Sequence, residues 1–127
     1  MEEKEIVLVD DDNLQNMLVK SVLKKIDSLI KITFFSNPEV ALTYFQELEE
    51  SKIPALILLD LNMPEMTGWE FLEKYSNYEH KSKVVIVSSS IDSNDITKAN
   101  IHPDVLEFCS KPLYQDKMNE IISCYTC

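Results

Sequence analysis

Short apolar segments rich in β-branched residues alternate with stretches of helical period along the whole chain, and no other feature constrains the fold as much. The apolar segments are Ile6–Val9, Ile32–Phe35, Ala55–Leu59, Val84–Val87 and Val105–Cys109. Their near-continuous apolar content, without polar alternation, predicts strands buried on both faces of a parallel sheet. Between them Leu14, Leu18, Val22 and Ile26 recur at helical spacing, as do Ala41, Phe45 and Leu48, then Phe71, Leu72 and Tyr75, and finally Met118, Ile121, Ile122 and Tyr125. Each stripe reads as core. Ser36-Asn37-Pro38-Glu39 predicts a helix start, with an N-cap side chain, an early-turn proline and a glutamate able to complete a capping box. The polar stretch that follows the fourth strand predicts a helix around Asn94–Ala99. Five β-α units joined by right-handed crossovers give an α/β fold, an open doubly wound five-stranded parallel sheet of order 2-1-3-4-5 with helices on both faces.

With 127 residues, 45% of them hydrophobic and 27% charged, the chain reads as one globular domain over 1–127. A net charge of −10 opposes contact with phosphate backbones and anionic lipid, so direct nucleic-acid binding is excluded from the leading readings. No apolar run reaches the ~20 residues of a spanning helix, and Met-Glu-Glu-Lys-Glu is the opposite of a cationic signal-peptide start. A cytoplasmic protein without membrane insertion is expected. Cys109 reads as a small buried residue, Cys124 and Cys127 as reduced tail thiols, and His80 and His102 as surface histidines.

In such a sheet the ligand site lies at the carboxyl ends of the strands, where the first, third, fourth and fifth are neighbours. The polar residues fall there: Asp10, Asp11 and Asp12 after the first strand, Asp60 and Asn62 after the third, Ser88 after the fourth, Lys111-Pro112 after the fifth. Each alone is an ordinary loop residue. Together they converge on one cleft. Carboxylates so close repel one another unless a pKa rises or a hard divalent cation binds, and the oxygen supply suits Mg²⁺. A carboxylate beside that cation can attack phosphorus to form an acyl phosphate, and Asp60 is the best placed to do so. Lys111 and Ser88 would supply an ammonium and a hydroxyl to the phosphoryl oxygens.

Val9-Asp10-Asp11, Leu58-Leu59-Asp60-Leu61-Asn62-Met63-Pro64, Gly68, Val87-Ser88 and Lys111-Pro112 stand in an order and spacing that resembles the receiver domain of two-component response regulators over nearly the whole chain. The resemblance implies a flavodoxin-like fold, with Asp60 as phospho-acceptor, Asp10 and Asp11 as the acidic pair at the metal, and Asn62 as donor of a backbone carbonyl ligand. It further implies Ser88 as the switch hydroxyl, Lys111 as the phosphoryl-contacting lysine and Phe108 as the switch aromatic. The positions two beyond Asp60 and Ser88, here Asn62 and Ser90, are those that tune dephosphorylation in the family. Asp12 has no assigned role. The chain departs from the pattern ahead of the fifth strand, where Asn100-Ile101-His102-Pro103-Asp104 replaces the usual glycine-containing turn.

The implied function is a phosphorelay switch that accepts a phosphoryl group from a sensor histidine kinase or histidine phosphotransfer protein and catalyses only its own Mg²⁺-dependent phosphorylation and dephosphorylation. If the sequence is complete, it leaves no room for an output domain. Output would then pass by protein contact through the surface of the fourth helix, fifth strand and fifth helix. An aspartate-nucleophile phosphatase similar to the haloacid dehalogenase superfamily is the enzyme-class alternative. Asp60-Leu61-Asn62 counts against it, because those enzymes carry a second aspartate two positions on. A degenerate receiver serving only as a binding module is the third reading, and it would require a missing active-site residue that this chain does not lack.

Overall fold

The computed structural model describes residues 4–90 and 92–126. In chain order the elements are β1 (Glu5–Val9), α1 (Asn13–Ile26), β2 (Lys31–Phe35), α2 (Pro38–Gln46), a 3-10 turn (Glu50–Lys52), β3 (Leu56–Leu59), α3 (Gly68–Tyr75), β4 (Lys83–Ser88), α4 (Ser93–Ile101), β5 (Val105–Ser110) and α5 (Gln115–Tyr125). All strands are parallel in one sheet of order β2-β1-β3-β4-β5. The fold expected from the alternating pattern is the fold observed, and α4 forms with a turn more than the Asn94–Ala99 stretch expected.

The sheet separates two cores. Val7, Val9, Ile57, Leu59, Val84 and Ile86 face α2, α3 and α4, while Ile6, Leu8, Leu56, Leu58, Val85 and Val87 face α1 and α5. Alternate residues of the central strands therefore serve opposite cores, which is why these strands carry no polar alternation. Full burial of each such side chain contributes roughly 1.5–3 kcal/mol. The expectation of two-sided burial fails at the edges: β2 exposes Lys31 and Phe34, and β5 exposes Leu106 and half-buries Glu107. A register shift opposite Val84/Val85 leaves Leu106 outside the ladder. That bulge lets Val105 and Phe108 both pack toward α4 while Glu107 and Cys109 face α5.

Three local expectations need correction. The α1 stripe of Leu14, Leu18, Val22 and Ile26 holds only in its second half: Val22 and Ile26 are half-buried against the core, whereas Leu14 and Leu18 face away from it. Leu14 is 67% and Leu18 56% exposed, with Met17 beside them at 62%, and the buried residues are Asn16, Val19 and Leu23. Asp12 sets this rotation by capping the helix, its carboxylate accepting the amides of Leu14 and Gln15 at 3.0 and 3.2 Å. At α2 the cap is Asn37, which accepts the Glu39 amide at 2.8 Å; Glu39 lies one position too early to close a capping box. The capping box is at α3, between Thr67 and Glu70. His102 is no idle surface residue, since its Nδ1 accepts the Asp104 amide at 3.1 Å and closes the glycine-free turn into β5. Cys109 is buried as expected, Cys124 is exposed, and Cys127 lies outside the described residues. No helix among the described residues is long and apolar enough to cross a membrane.

Candidate functional site

The parallel ladders set the floor of the site. Asp10 follows the last residue of β1 and donates its amide to Phe35 O at 3.1 Å, while Asp60 follows β3 and donates its amide to Val9 O at 2.9 Å. These continuations of the sheet hold both aspartates side by side. Asp10, Asp11 and Asp60 each offer a carboxylate oxygen within 4.8 Å of the others, with Asp10 and Asp60 buried and Asp11 half-buried. Buried Asn16 donates its amide to Asp10 O at 2.9 Å, and Asp10 Oδ1 accepts the Asp12 amide at 2.9 Å, so the β1–α1 turn is held from two sides.

Lys111 enters from the end of β5 across a cis peptide to Pro112. Its amide donates to Ser88 O at 2.9 Å, which anchors it to β4. Its ammonium lies 2.7 Å from Asp10 Oδ2 and 3.4 Å from Asp60 Oδ1. One cation thus pairs with two carboxylates of a cluster of three. Burial and then the neighbouring Asp10 charge push the Asp60 carboxyl up to about 6, against the opposing pull of Lys111 and the Asn62 amide. The same contacts raise Lys111 above its ordinary value despite its burial, which acts in the other direction. A hard divalent cation fits this donor set: it would meet oxygen ligands only and offset the uncompensated negative charge.

Gly68 explains how the β3–α3 loop closes over Asp60. Its amide donates to Leu61 O at 2.8 Å, and a Cβ there would stand 2.7 Å from Asp60 O and 2.9 Å from Leu61 Cα. Backbone cannot yield that space, so only glycine fits without displacing the loop that follows β3. Ser88 ends β4 fully buried, and Phe108 pairs with Ile86 in register on the same sheet face as Ser88. Asn62 is exposed at the mouth of the cleft. Apart from Phe108, the sequence-derived site residues therefore lie at or just beyond the carboxyl ends of the strands. Asp10, Asp11, Asp60 and Lys111 meet directly; Phe108 stands back from them in the α4-side core.

A model of the response regulator receiver domain matches residues 6–123. The chain belongs to that family. Receiver domains act in two-component signalling, and this one carries the acidic cluster on their fold. It is 35% identical over 94 residues to the nitrate/nitrite response regulator protein NarL of Escherichia coli (strain K12), a match covering 74% of this chain and 42% of NarL. The chain thus spans less than half the length of that relative. Among solved structures it is similar to a two-component response regulator from Cytophaga hutchinsonii, with a TM-score of 0.88 and 27% identity over 99% of this chain and 98% of that one. It is also similar to the phosphorylated cyanobacterial phytochrome response regulator RcpA, with a TM-score of 0.79 and 25% identity over 98% of this chain and 95% of that one.

Reading the sequence missed four contributors. Asp12 is a helix cap, with a legible signal in an aspartate directly before a periodic stretch. The Thr67-x-x-Glu70 box carried an equally legible one. Asn16 and the Trp69–Asp95 pair gave none, because a buried asparagine or a tryptophan-carboxylate bond has no local pattern.

Proposed function

We propose that this receiver domain, a single domain over residues 1–127, is a phosphorylatable switch in which Asp60 is the phospho-acceptor. The observation that carries the reading is the meeting of Asp10, Asp11 and Asp60 within 4.8 Å under one ammonium, that of Lys111. An Asp60 oxygen forms a bond to phosphorus as the donor's N–P bond breaks, the electron pair leaving on an imidazole nitrogen of a histidine kinase or histidine phosphotransfer protein. With its carboxyl at about 6, Asp60 is mostly the nucleophilic carboxylate at neutral pH. Asp10, Asp11, Asp60 and the backbone carbonyl of Asn62 would hold Mg²⁺, which when bound supplies charge to offset the transferred group. Lys111 and Ser88 contact the phosphoryl oxygens, and Phe108 follows Ser88. Asn62 and Ser90 govern the water that later releases phosphate. The similarity to a relative described as phosphorylated supports the same reading.

The donor protein docks on the outer face of α1, which starts beside Asp11 and Asp12 and presents Leu14, Met17 and Leu18 to solvent. Output passes through α4, β5 and α5 to a downstream protein in the cytoplasm, with no contact to nucleic acid. The chain is a regulator and turns over no separate substrate. Incubation with acetyl phosphate or phosphoramidate and Mg²⁺ should give one phosphoryl adduct by intact mass, absent in Asp60→Asn. Labelling that persists in Asp60→Asn, or steady turnover of the donor without an adduct, would overturn the reading.

A further inference from the structure

The Ser88 hydroxyl belongs to a hydrogen-bonded chain that leaves the acceptor site. Fully buried, it accepts the Ser90 amide at 3.1 Å. The Ser90 hydroxyl accepts the Asp92 amide at 3.2 Å and donates to Asp95 Oδ2 at 2.9 Å. Asp95, in the first turn of α4, uses its other oxygen to accept the Trp69 indole N–H at 2.9 Å. The Lys98 ammonium lies 4.8 Å from the centre of the Trp69 ring. One carboxylate thus joins the loop after β4, α4 and the first turn of α3.

Helix capping does not account for this arrangement. The N-cap of α4 is Asp92, whose side chain accepts the Asn94 amide at 2.9 Å, and the Asp95 amide donates to Asp92 O at 3.1 Å. The Asp95 carboxylate is left for contacts between elements. A serine hydroxyl has one proton to give. At Ser90 it goes to Asp95, which fixes the side chain and its loop. At Ser88 an accepting lone pair is filled by the Ser90 amide, and among the described residues no acceptor takes its single proton, which an oxygen arriving in the cleft could receive.

We propose that Asp95 is a positioning residue for the Ser88 hydroxyl: through Ser90 it sets where that hydroxyl stands, and through Trp69 it ties that position to α3. The inference rests on the reading of Asp60 as phospho-acceptor and extends it. When Ser88 is drawn toward a phosphoryl oxygen, the bond to the Ser90 amide carries the loop along. The Ser90–Asp95 bond passes the shift to α4, and the Asp95–Trp69 bond passes it to α3. The α3–α4 face then reports phosphorylation alongside the face formed by α4, β5 and α5.

Hydrogen exchange on the full chain with Mg²⁺, with and without beryllofluoride as phosphoryl mimic, tests this, with acetyl phosphate labelling run in parallel. In the parent, exchange should change over residues 67–75 and 93–101. Trp69→Phe removes the indole donor and keeps the ring, so 93–101 should still respond while the response of 67–75 is lost. Asp95→Ala should be labelled as the parent is and lose both responses. A staple that merely stabilises the loop would lower the melting temperature of both variants and leave both responses in place, which would overturn the proposal. If Asp95→Ala does not fold, Trp69→Phe decides alone, since a retained response over 67–75 refutes the link to α3. A parent that takes the label but shows no change over 67–75 overturns this inference only. A parent that takes no label overturns the phospho-acceptor reading and this inference with it.

Discussion

Lys111 and Asp10 are separated by 101 positions in the chain, yet the ammonium of one donates to the carboxylate of the other at 2.7 Å. The contact closes the site, because the same ammonium also lies 3.4 Å from Asp60. It ties the end of β5 to the end of β1 across the two strands between them. It also makes Lys111 the only cation among the described residues that pairs with the acidic cluster, through two of its three carboxylates.

Lys111→Ala should therefore leave Asp10 and Asp60 facing each other unpaired. A loss on the order of 2–3 kcal/mol is expected without Mg²⁺, below the range for a fully buried pair because Lys111 keeps some contact with water. Added Mg²⁺ should stabilise this variant more than the parent, since its site is one charge more negative. Thermal melts of both proteins across a Mg²⁺ titration measure the difference. Equal shifts would show that the ammonium and the cation act at separate places.

In the parent, Mg²⁺ at one hundred times its Kd should raise stability by about 2.7 kcal/mol, several degrees in melting temperature. Asp11→Asn should remove most of that gain, as Asp11 is the carboxylate of the three with no ion pair to Lys111. A parent whose melting temperature does not move across millimolar Mg²⁺ would contradict a preformed site.

Asp60 carries a pH dependence whose sign follows from its raised value, about 6 folded against an ordinary 3.8. Well below 3.8 the carboxyl is protonated in both states and contributes nothing. As pH rises toward 6 the unfolded chain ionises first, so the folded state loses stability. Above that the full penalty, on the order of 2–3 kcal/mol, persists. Asp60→Asn should therefore be more stable than the parent at pH 7 without Mg²⁺ and only slightly so at pH 3.5. Denaturant melts at both pH values check this, and an equal difference at each would show that Asp60 is not the source.

The sheet, its order and the edge that carries the site were legible because they rest on signals that survive without three-dimensional context: uninterrupted apolar runs and polar residues directly after them. Helix rotation was less legible. In α1 the apolar residues nearly encircle the helix, so Leu14 and Leu18 fit a stripe as well as Val19 and Leu23 do, and only the Asp12 cap and the neighbouring α5 decide which face is buried. Edge strands look like central ones when read as a run, which is why Leu106 passed for core. Cys124-Tyr125-Thr126-Cys127 is a Cys-x-x-Cys spacing that a reading of three separate thiols passes over. The Ser90–Asp95–Trp69 chain joins residues whose identities carry no signal until α3 and α4 are side by side.

On the proposed reading of Asp60 as phospho-acceptor, Asn62 should offer the cleanest handle on the lifetime of the adduct. An acyl phosphate is hydrolysed by water attacking in line, so a side chain at the mouth of the cleft should control access. Asn62 is exposed there, and its side chain bonds to none of the acidic groups among the described residues. Ser90 is the less informative choice, because enlarging it would also break its bonds to Asp92 and Asp95. Asn62→Met is preferable to a lysine, since it adds bulk without a charge that would compete with Mg²⁺, and it keeps the backbone carbonyl. Phosphate loss after labelling should slow by roughly threefold to tenfold, up to about 1.4 kcal/mol in the barrier, with Mg²⁺ affinity unchanged. The decay of the adduct followed by intact mass gives the rate. Decay at the parental rate would mean that water reaches phosphorus by a path Asn62 does not border.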